Sequence, residues 1–199
     1  METKLNTQKN KEDPLEVVRR VVCGKSTMED YRNAVECLSK NNTSYLFLAS
    51  GEYLKIVSKQ IFRDSESEVK ILVSGPDDFI FTEDCKDEIS IFLEKKSSKL
   101  KIFCLNDIKN CLPGYIKKFI EEKKVEFLYT PSIILFWKNF NAGKNESAFY
   151  PIICNNRVQV RFTDDEGKDS SFVSFRGKLL YSRMLERFDN LLLGLENAI

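Results

Sequence analysis

The chain of 199 residues contains no histidine at all. It therefore has no imidazole to attack phosphorus, relay a proton or ligate zinc. Its six cysteines (Cys23, Cys37, Cys85, Cys104, Cys111 and Cys154) are scattered, with no C-x-x-C pair. Zinc sites need clustered thiolate or imidazole ligands, so no metal site is expected. Most of these cysteines fall within apolar periodic runs, where a free thiol behaves as a small buried hydrophobe. A reduced state and a cytoplasmic setting are the expectation. There is no excess of either charge, with 31 Lys and Arg against 30 Asp and Glu. A global field drawing the chain to nucleic acid or anionic lipid is thus missing, and such binding would need a local patch. The polar start, Met1 to Asp13, has no apolar core of a signal peptide. No apolar run reaches the length of a membrane span.

What is present is an apolar fraction of 42% with 31% charged residues, enough for one full hydrophobic core. Residues 1–12 read as disordered, and 13–199 as a single α/β domain with leading helices over 13–40. Asp13-Pro14 opens the first helix, striped by Leu15, Val18 and Val22 and stopped near Gly24. Ser26 or Thr27 caps a second helix with Tyr31, Ala34, Val35 and Leu38 inward. Tyr45 to Ala49 is a continuous apolar run, which fits a central strand covered on both faces. A helix with Leu54, Val57 and Ile61 follows Gly51. Further strands are expected at Val69–Val73, Leu100–Leu105 and Val125–Tyr129. Between them, Thr82 caps a helix carrying Cys85, Ile89 and Phe92, and Tyr115, Ile116, Phe119 and Ile120 stripe another. This alternation, at roughly 20–30-residue intervals, is the pattern of βαβ crossovers and a mostly parallel sheet.

After Pro131 the rhythm changes to close-spaced strands at Ile133–Trp137, Tyr150–Cys154, Val158–Phe162 and Phe172–Phe175. Asn155-Asn156 and Asp164 to Gly167 are hairpin-turn sequences, and Asn139 to Ser147 is a polar loop. The last helix carries the strongest apolar stripe, Leu180, Met184, Phe188, Leu191, Leu192 and Leu195.

This order resembles one half of a phospholipase D-like fold. Tyr45 to Gly51 with Leu54 and Ile61 is similar to that superfamily's opening strand and helix, and Val69–Val73 to its second strand. Phe149 to Asn156 lies where the superfamily carries H-x-K-x4-D. The likeness covers residues 28–195 and rests on hydrophobic pattern. With Gly24 to Leu38 ahead of the first strand, it most resembles the effector domain of TrmB-type archaeal transcriptional regulators. Active members use the His as nucleophile on phosphorus, with Lys and Asp steadying charge. Here those positions hold Phe149, Pro151 and Asn156, so the resemblance implies a pseudoenzyme without catalytic residues or cofactor. It also implies pairing, as a homodimer or with a partner subunit. Too few residues precede the fold for the winged helix such regulators carry, so a self-sufficient regulator is not expected.

Other motifs reduce to structural readings. Cys23 to Thr27 ends like a phosphate-binding loop, but Arg19 stands where its first glycine belongs and a helix precedes it. The acidic run Asp77, Asp78, Glu83, Asp84, Asp87 and Glu88 fits a solvated face complementing a helix dipole. Asp164 to Asp169 likewise reads as a hairpin turn. Trp137, Phe136, Phe140, Phe149 and Tyr150 fit core packing or a dimer contact better than a stacking surface.

The candidate ligand site is a set of arginines. Arg157 and Arg161 alternate on one side of a strand, Arg183 and Arg187 share a helix face, and Arg176 lies between. Together they would line the old phosphate cleft. Salt bridges to Asp164, Asp165, Glu186 and Asp189 are the structural alternative. The expected function is a non-catalytic regulatory or effector-binding domain sensing a small polar or phosphorylated ligand. The alternatives are a nucleic-acid-binding subunit of a repair or defence assembly, and a dimeric scaffold.

Overall fold

Local sequence chemistry sets the leading helices. In the computed structural model, which describes residues 13–22, 27–41, 47–76, 78–104, 111–129, 150–163 and 169–196, α1 spans Pro14–Val22. The Asp13 side chain accepts from Leu15 N at 3.0 Å, satisfying one free donor of the first turn. Helix α2, Met28–Lys40, begins in a capping box. Thr27 Oγ1 accepts from Asp30 N, and Asp30 Oδ2 accepts from Thr27 N, each at 3.1 Å. The Thr27 hydroxyl also donates to Asp30 Oδ2 at 2.7 Å, and this bond chiefly holds the exposed Asp30 carboxyl below the usual carboxylate range.

The body follows as β1 (Phe47–Ser50), α3 (Glu52–Asp64), β2 (Glu68–Val73), a short 3-10 helix (Phe79–Phe81), α4 (Glu83–Glu94), β3 (Lys99–Cys104), α5 (Gly114–Glu121) and β4 (Val125–Tyr129). Three antiparallel strands come next, β5 (Tyr150–Cys154), β6 (Arg157–Thr163) and β7 (Asp169–Ser174), and then α6 (Lys178–Glu196). Between β1 and α3, Gly51 takes φ +55, a left-handed conformation that costs glycine little. The β5–β6 hairpin turns on Asn155 (φ 45) and Asn156 (φ 67), the two left-handed residues a tight turn needs.

The seven strands form one mixed sheet in the order β1–β7–β6–β5–β2–β3–β4. The α/β class, the antiparallel extension and the long closing helix are as the sequence predicts. Parallel pairs are in the minority, however, being limited to β2–β3 and β3–β4. The other four pairs are antiparallel. The Tyr45–Ala49 run also differs from expectation. Among the described strands, β1 lies at the sheet edge, pairing with β7 alone. A continuous apolar run signals burial of both faces but carries no information on order within a sheet.

Side-chain alternation divides the core. Val69, Ile71 and Val73 of β2, with Leu100, Ile102 and Cys104 of β3, belong to a cluster that includes residues of α1 through α5. Leu72, Phe103, Ile153, Val158 and Val160 project to the opposite face, against Phe188 of α6. Each such side chain contributes on the order of 1.5–3 kcal/mol by leaving water. Val69, Ile71, Leu72 and Val73 of β2 and Leu100, Ile102, Phe103 and Cys104 of β3 are buried on both faces, and these mostly apolar runs, each broken by one lysine, are why β2 and β3 are legible in sequence.

Two local expectations change. Thr82 stands at the N-cap of α4, but its hydroxyl donates to Phe79 O at 2.6 Å and caps nothing. Cys85, Cys104 and Cys154 are buried, whereas Cys111 is exposed. The expected strand Ile133–Trp137, the polar loop 139–147 and the aromatics Phe136, Trp137, Phe140 and Phe149 lie outside the described residues. So do residues 1–12, Cys23 to Ser26 and the turn 164–168. Among the described residues, no helix is long and apolar enough to cross a membrane.

Candidate functional site

The five arginines do not converge. Arg157, Gln159 and Arg161 alternate along β6 and pair in register with Cys154, Ile152 and Tyr150. Ile152 and Cys154 belong to the helix-covered face, so this row of β6 does too. Arg183 and Arg187 sit on α6, which packs over the other face. Arg176 is exposed in the connection between β7 and α6. A single arginine-lined cleft is therefore ruled out, because the sheet itself separates the two pairs.

Arg161 is sequestered. Its side chain is 6% exposed and its Nη1 lies 2.5 Å from Oδ1 of Asp78, itself 5% exposed. Nη2 donates to Leu72 O at 2.8 Å and Nε to Tyr150 O at 3.1 Å. The guanidinium also stacks over Phe79, 5.0 Å from the ring centroid. Asp78 completes the arrangement by accepting from Ile80 N at 3.2 Å, which caps the 3-10 helix. Burial pushes the nearby Tyr150 hydroxyl upward, and the Asp78 charge adds to the effect. Asp78 thus belongs to no solvated acidic face. It is the internal counter-ion of Arg161, a partner absent from the salt bridges expected in sequence.

The remaining arginines divide. Arg157 is half-buried, and its Nε has no hydrogen-bond partner among the described residues. Burial lowers the affinity of Arg187 for its proton, and the adjacent Arg183 charge lowers it further, consistent with one shared helix face. Of the expected acidic partners, Asp189 of α6 is engaged by Lys70, not by an arginine, at 2.9 Å. Pro151 is buried within β5, and Asn156 is an exposed turn residue. Neither offers a charged group in the H-x-K-x4-D region.

A different concavity lies among α2, α3 and α4. It is a groove of about 460 Å³, lined mostly by polar and charged side chains, with Met28 and Ile56 among them. Lys55, Lys59 and Arg63 fall at i, i+4 and i+8 on α3, so helical geometry alone puts them on one wall. Lys55 reaches Glu52 and Asp84 at 3.1 Å each. Those hydrogen bonds raise the Lys55 ammonium and hold Asp84 below the usual carboxylate range. Arg63 pairs with Glu88 at 3.2 Å, and Arg32 with Glu29 at 3.4 Å. Lys59 forms no ion pair among the described residues. The lysine and arginine spacing on α3 was visible in sequence, but only the packing of α2 and α4 beside it creates the groove.

An α/β domain with a mixed seven-stranded sheet, helices on one face and a single long helix on the other is the class defined here. The fold is shared with part of TrmBL2, an archaeal chromatin protein with a novel mode of DNA binding, at TM-score 0.55 and 14% identity. That similarity covers 88% of this chain and 63% of TrmBL2. A polyphosphate kinase from Porphyromonas gingivalis aligns at TM-score 0.43 and 10% identity, over 87% of this chain and 29% of the kinase. The chain spans less than two thirds of either protein. No protein-family model and no curated protein sequence matches it.

Proposed function

We propose that this chain is a non-catalytic regulatory domain of phospholipase D-like, TrmB-type architecture, which binds a small polar ligand in the α2–α3–α4 groove. The groove carries the reading. Its walls offer carboxylates and cations together, which suits a compact ligand bearing hydroxyl, amino or phosphate groups. Among the described residues Lys59 is the groove cation without an ion-pair partner, so it is the group assigned to an anionic or hydroxyl-bearing part of the ligand. The arginine cleft drops out of this proposal because Arg161 already holds an anion, the Asp78 carboxylate.

The position of the groove suits a sensor. One wall is α2, which packs against α1, and the other walls are α3 and α4 of the body. A ligand bridging them would fix the leading helices on the body, a differential contact of the kind that shifts a two-state equilibrium. The absence of histidine and the neutral Pro151 and Asn156 support the non-catalytic part of the reading. Pairing into a homodimer or with a partner subunit belongs to the same proposal.

Thermal denaturation against sugars, sugar phosphates and amino acids tests it, with mass in solution measured alongside. A ligand at a hundred times its Kd stabilises by about 2.7 kcal/mol. Lys59→Ala is expected to abolish most of that stabilisation while leaving the unliganded midpoint nearly unchanged. No response to any compound, or a response indifferent to Lys59→Ala, would remove the groove as the site.

A further inference from the structure

A net charge of +1 conceals a local excess of cations at one end of the sheet. Strands β2, β3 and β4 run parallel, so their first residues share one end of the sheet. The β5–β6 turn lies at that end too, where Ser67 Oγ meets Asn155 Oδ1 at 3.1 Å. The exit from β7 joins it through Gly177 N, which donates to Asn156 O at 3.1 Å. Five exposed cations cluster around this end: Lys96 before β3, Lys99 at its start, Lys123 before β4, and Arg176 and Lys178 after β7. None makes an ion pair among the described residues.

Two further ammonium groups reinforce them. Lys95 donates to the carbonyls of Arg63 and Ser65, and Lys124 to that of Leu93, and neither pairs with a carboxylate among the described residues. The carboxylates near this end are Glu66, Glu94 and Glu121, with Glu122 facing Lys118 at 3.9 Å, Glu68 held between Lys70 and Lys101 at 3.7 and 3.1 Å, and Glu126 facing Lys101 at 3.8 Å. The far end of β2 leads instead to Asp78, Glu83, Asp84, Asp87 and Glu88. Four of these five are ion-paired, with Arg161, Lys86, Lys55 and Arg63, so the end where the parallel strands begin is the one with an excess of unpaired charge of one sign.

The geometry points to a nucleic-acid-binding edge, in which the basic end of the sheet lies along the phosphodiester backbone of a duplex. In sheet order, β7 to β4 is five strand spacings, or about 24 Å at about 4.8 Å each. Duplex DNA carries a charge per roughly 1.7 Å of axis, so this row spans many phosphates. The cluster is mostly lysine, which supplies point charges and not planar forks, and this suits phosphate contact without base recognition. This surface is separate from the small-ligand groove and stands or falls independently of it.

The test is fluorescence anisotropy of the full chain with a labelled mixed-sequence DNA duplex, titrated at several salt concentrations. For five phosphate contacts the log–log salt slope is expected near about −4.5. The triple charge reversal K96E/K99E/K123E should cut it to about −2 and weaken binding more than about tenfold. The pair R176E/K178E, on the other flank, should weaken binding independently, and Lys86→Glu, in the first turn of α4 beyond the far end of β2, should change nothing. All these side chains are exposed or half-buried, and a circular dichroism spectrum checks folding. No binding at low salt, unchanged affinity in both charge-reversed variants, or tighter binding to phosphatidylserine vesicles than to duplex would overturn the proposal.

Discussion

Replacing Arg161 by leucine should nearly unfold the domain. The substitution leaves the Asp78 carboxylate, 5% exposed, without its counter-ion. Breaking a buried pair from one side costs about 3–5 kcal/mol. The carbonyls of Leu72 and Tyr150 also lose their guanidinium donors, at about 1 kcal/mol each. A total near 5 kcal/mol rivals the whole stability of an ordinary domain, about 5–15 kcal/mol. In urea titrations followed by circular dichroism, a slope of about 2 kcal/mol per molar turns this into a midpoint shift of roughly 2 M. The double variant R161L/D78N removes both charges and keeps an amide oxygen to cap Ile80 N. It should recover at least half of the loss, giving a coupling of about 2 kcal/mol or more. Stability of Arg161→Leu within about 1 kcal/mol of the parent would refute the reasoning, because a free, solvated guanidinium is the one kind that costs so little to remove.

Burial pushes the Cys85 thiol up to about 12 from an ordinary 9.0, so its contribution to stability is complete below about pH 9 and is lost as pH rises toward 12. The unfolded chain ionises first, and the loss runs at about 1.4 kcal/mol per pH unit; Cys85→Ala should flatten urea midpoints between about pH 9 and 10.5, and an unchanged pH dependence would contradict this. Gln159 is fully buried, donating to Leu54 O and Ser171 Oγ and accepting from Ser58 Oγ at 2.6 Å. Gln159→Leu removes all three bonds, leaving the Ser58 and Ser171 hydroxyls only those to Leu54 O and Ala49 O, and a loss of about 3 kcal/mol should lower the thermal midpoint by roughly 6–12 °C; a drop under about 2 °C would contradict the network. Phe188 is 2% exposed with its ring 4.8 Å from that of Phe103. Phe188→Ala should cost about 3–5 kcal/mol and expose α6 to limited proteolysis, and resistance equal to the parent would argue against that packing.

Much of the fold was legible because its cause is local. Asp13 and Thr27 mark helix starts through hydrogen bonds spanning two and three residues, and Val69 to Val73 announces a doubly covered strand by composition. Asn155-Asn156 specifies its turn through backbone conformation alone. Sheet order was not legible, since the pairing of Phe47 with Val173 depends on packing across the chain. The arginine site failed for a related reason. Arg157 with Arg161, and Arg183 with Arg187, were each correctly grouped by periodicity, but periodicity does not say which side of the sheet a helix will cover. The Arg161–Asp78 contact joins residues on elements separated by most of the body, and Asp78 read as one acid among six. The groove shows the converse, since the α3 stripe was plain and its walls were not.

The pairing of β1 with β7 also sets a schedule for folding. Strands β2, β3 and β4 can assemble in the order they are synthesised, each docking on the last through a local helix. Strand β1 precedes them all, yet its hydrogen-bonding partner runs from Asp169 to Ser174. A nascent chain therefore holds an apolar strand in waiting until nearly the whole domain has emerged. Such distant contacts slow folding, since the loop must close before the pairing rewards it. During that interval Phe47–Ser50 is the segment that a chaperone would shield, or that a second unfinished chain would capture.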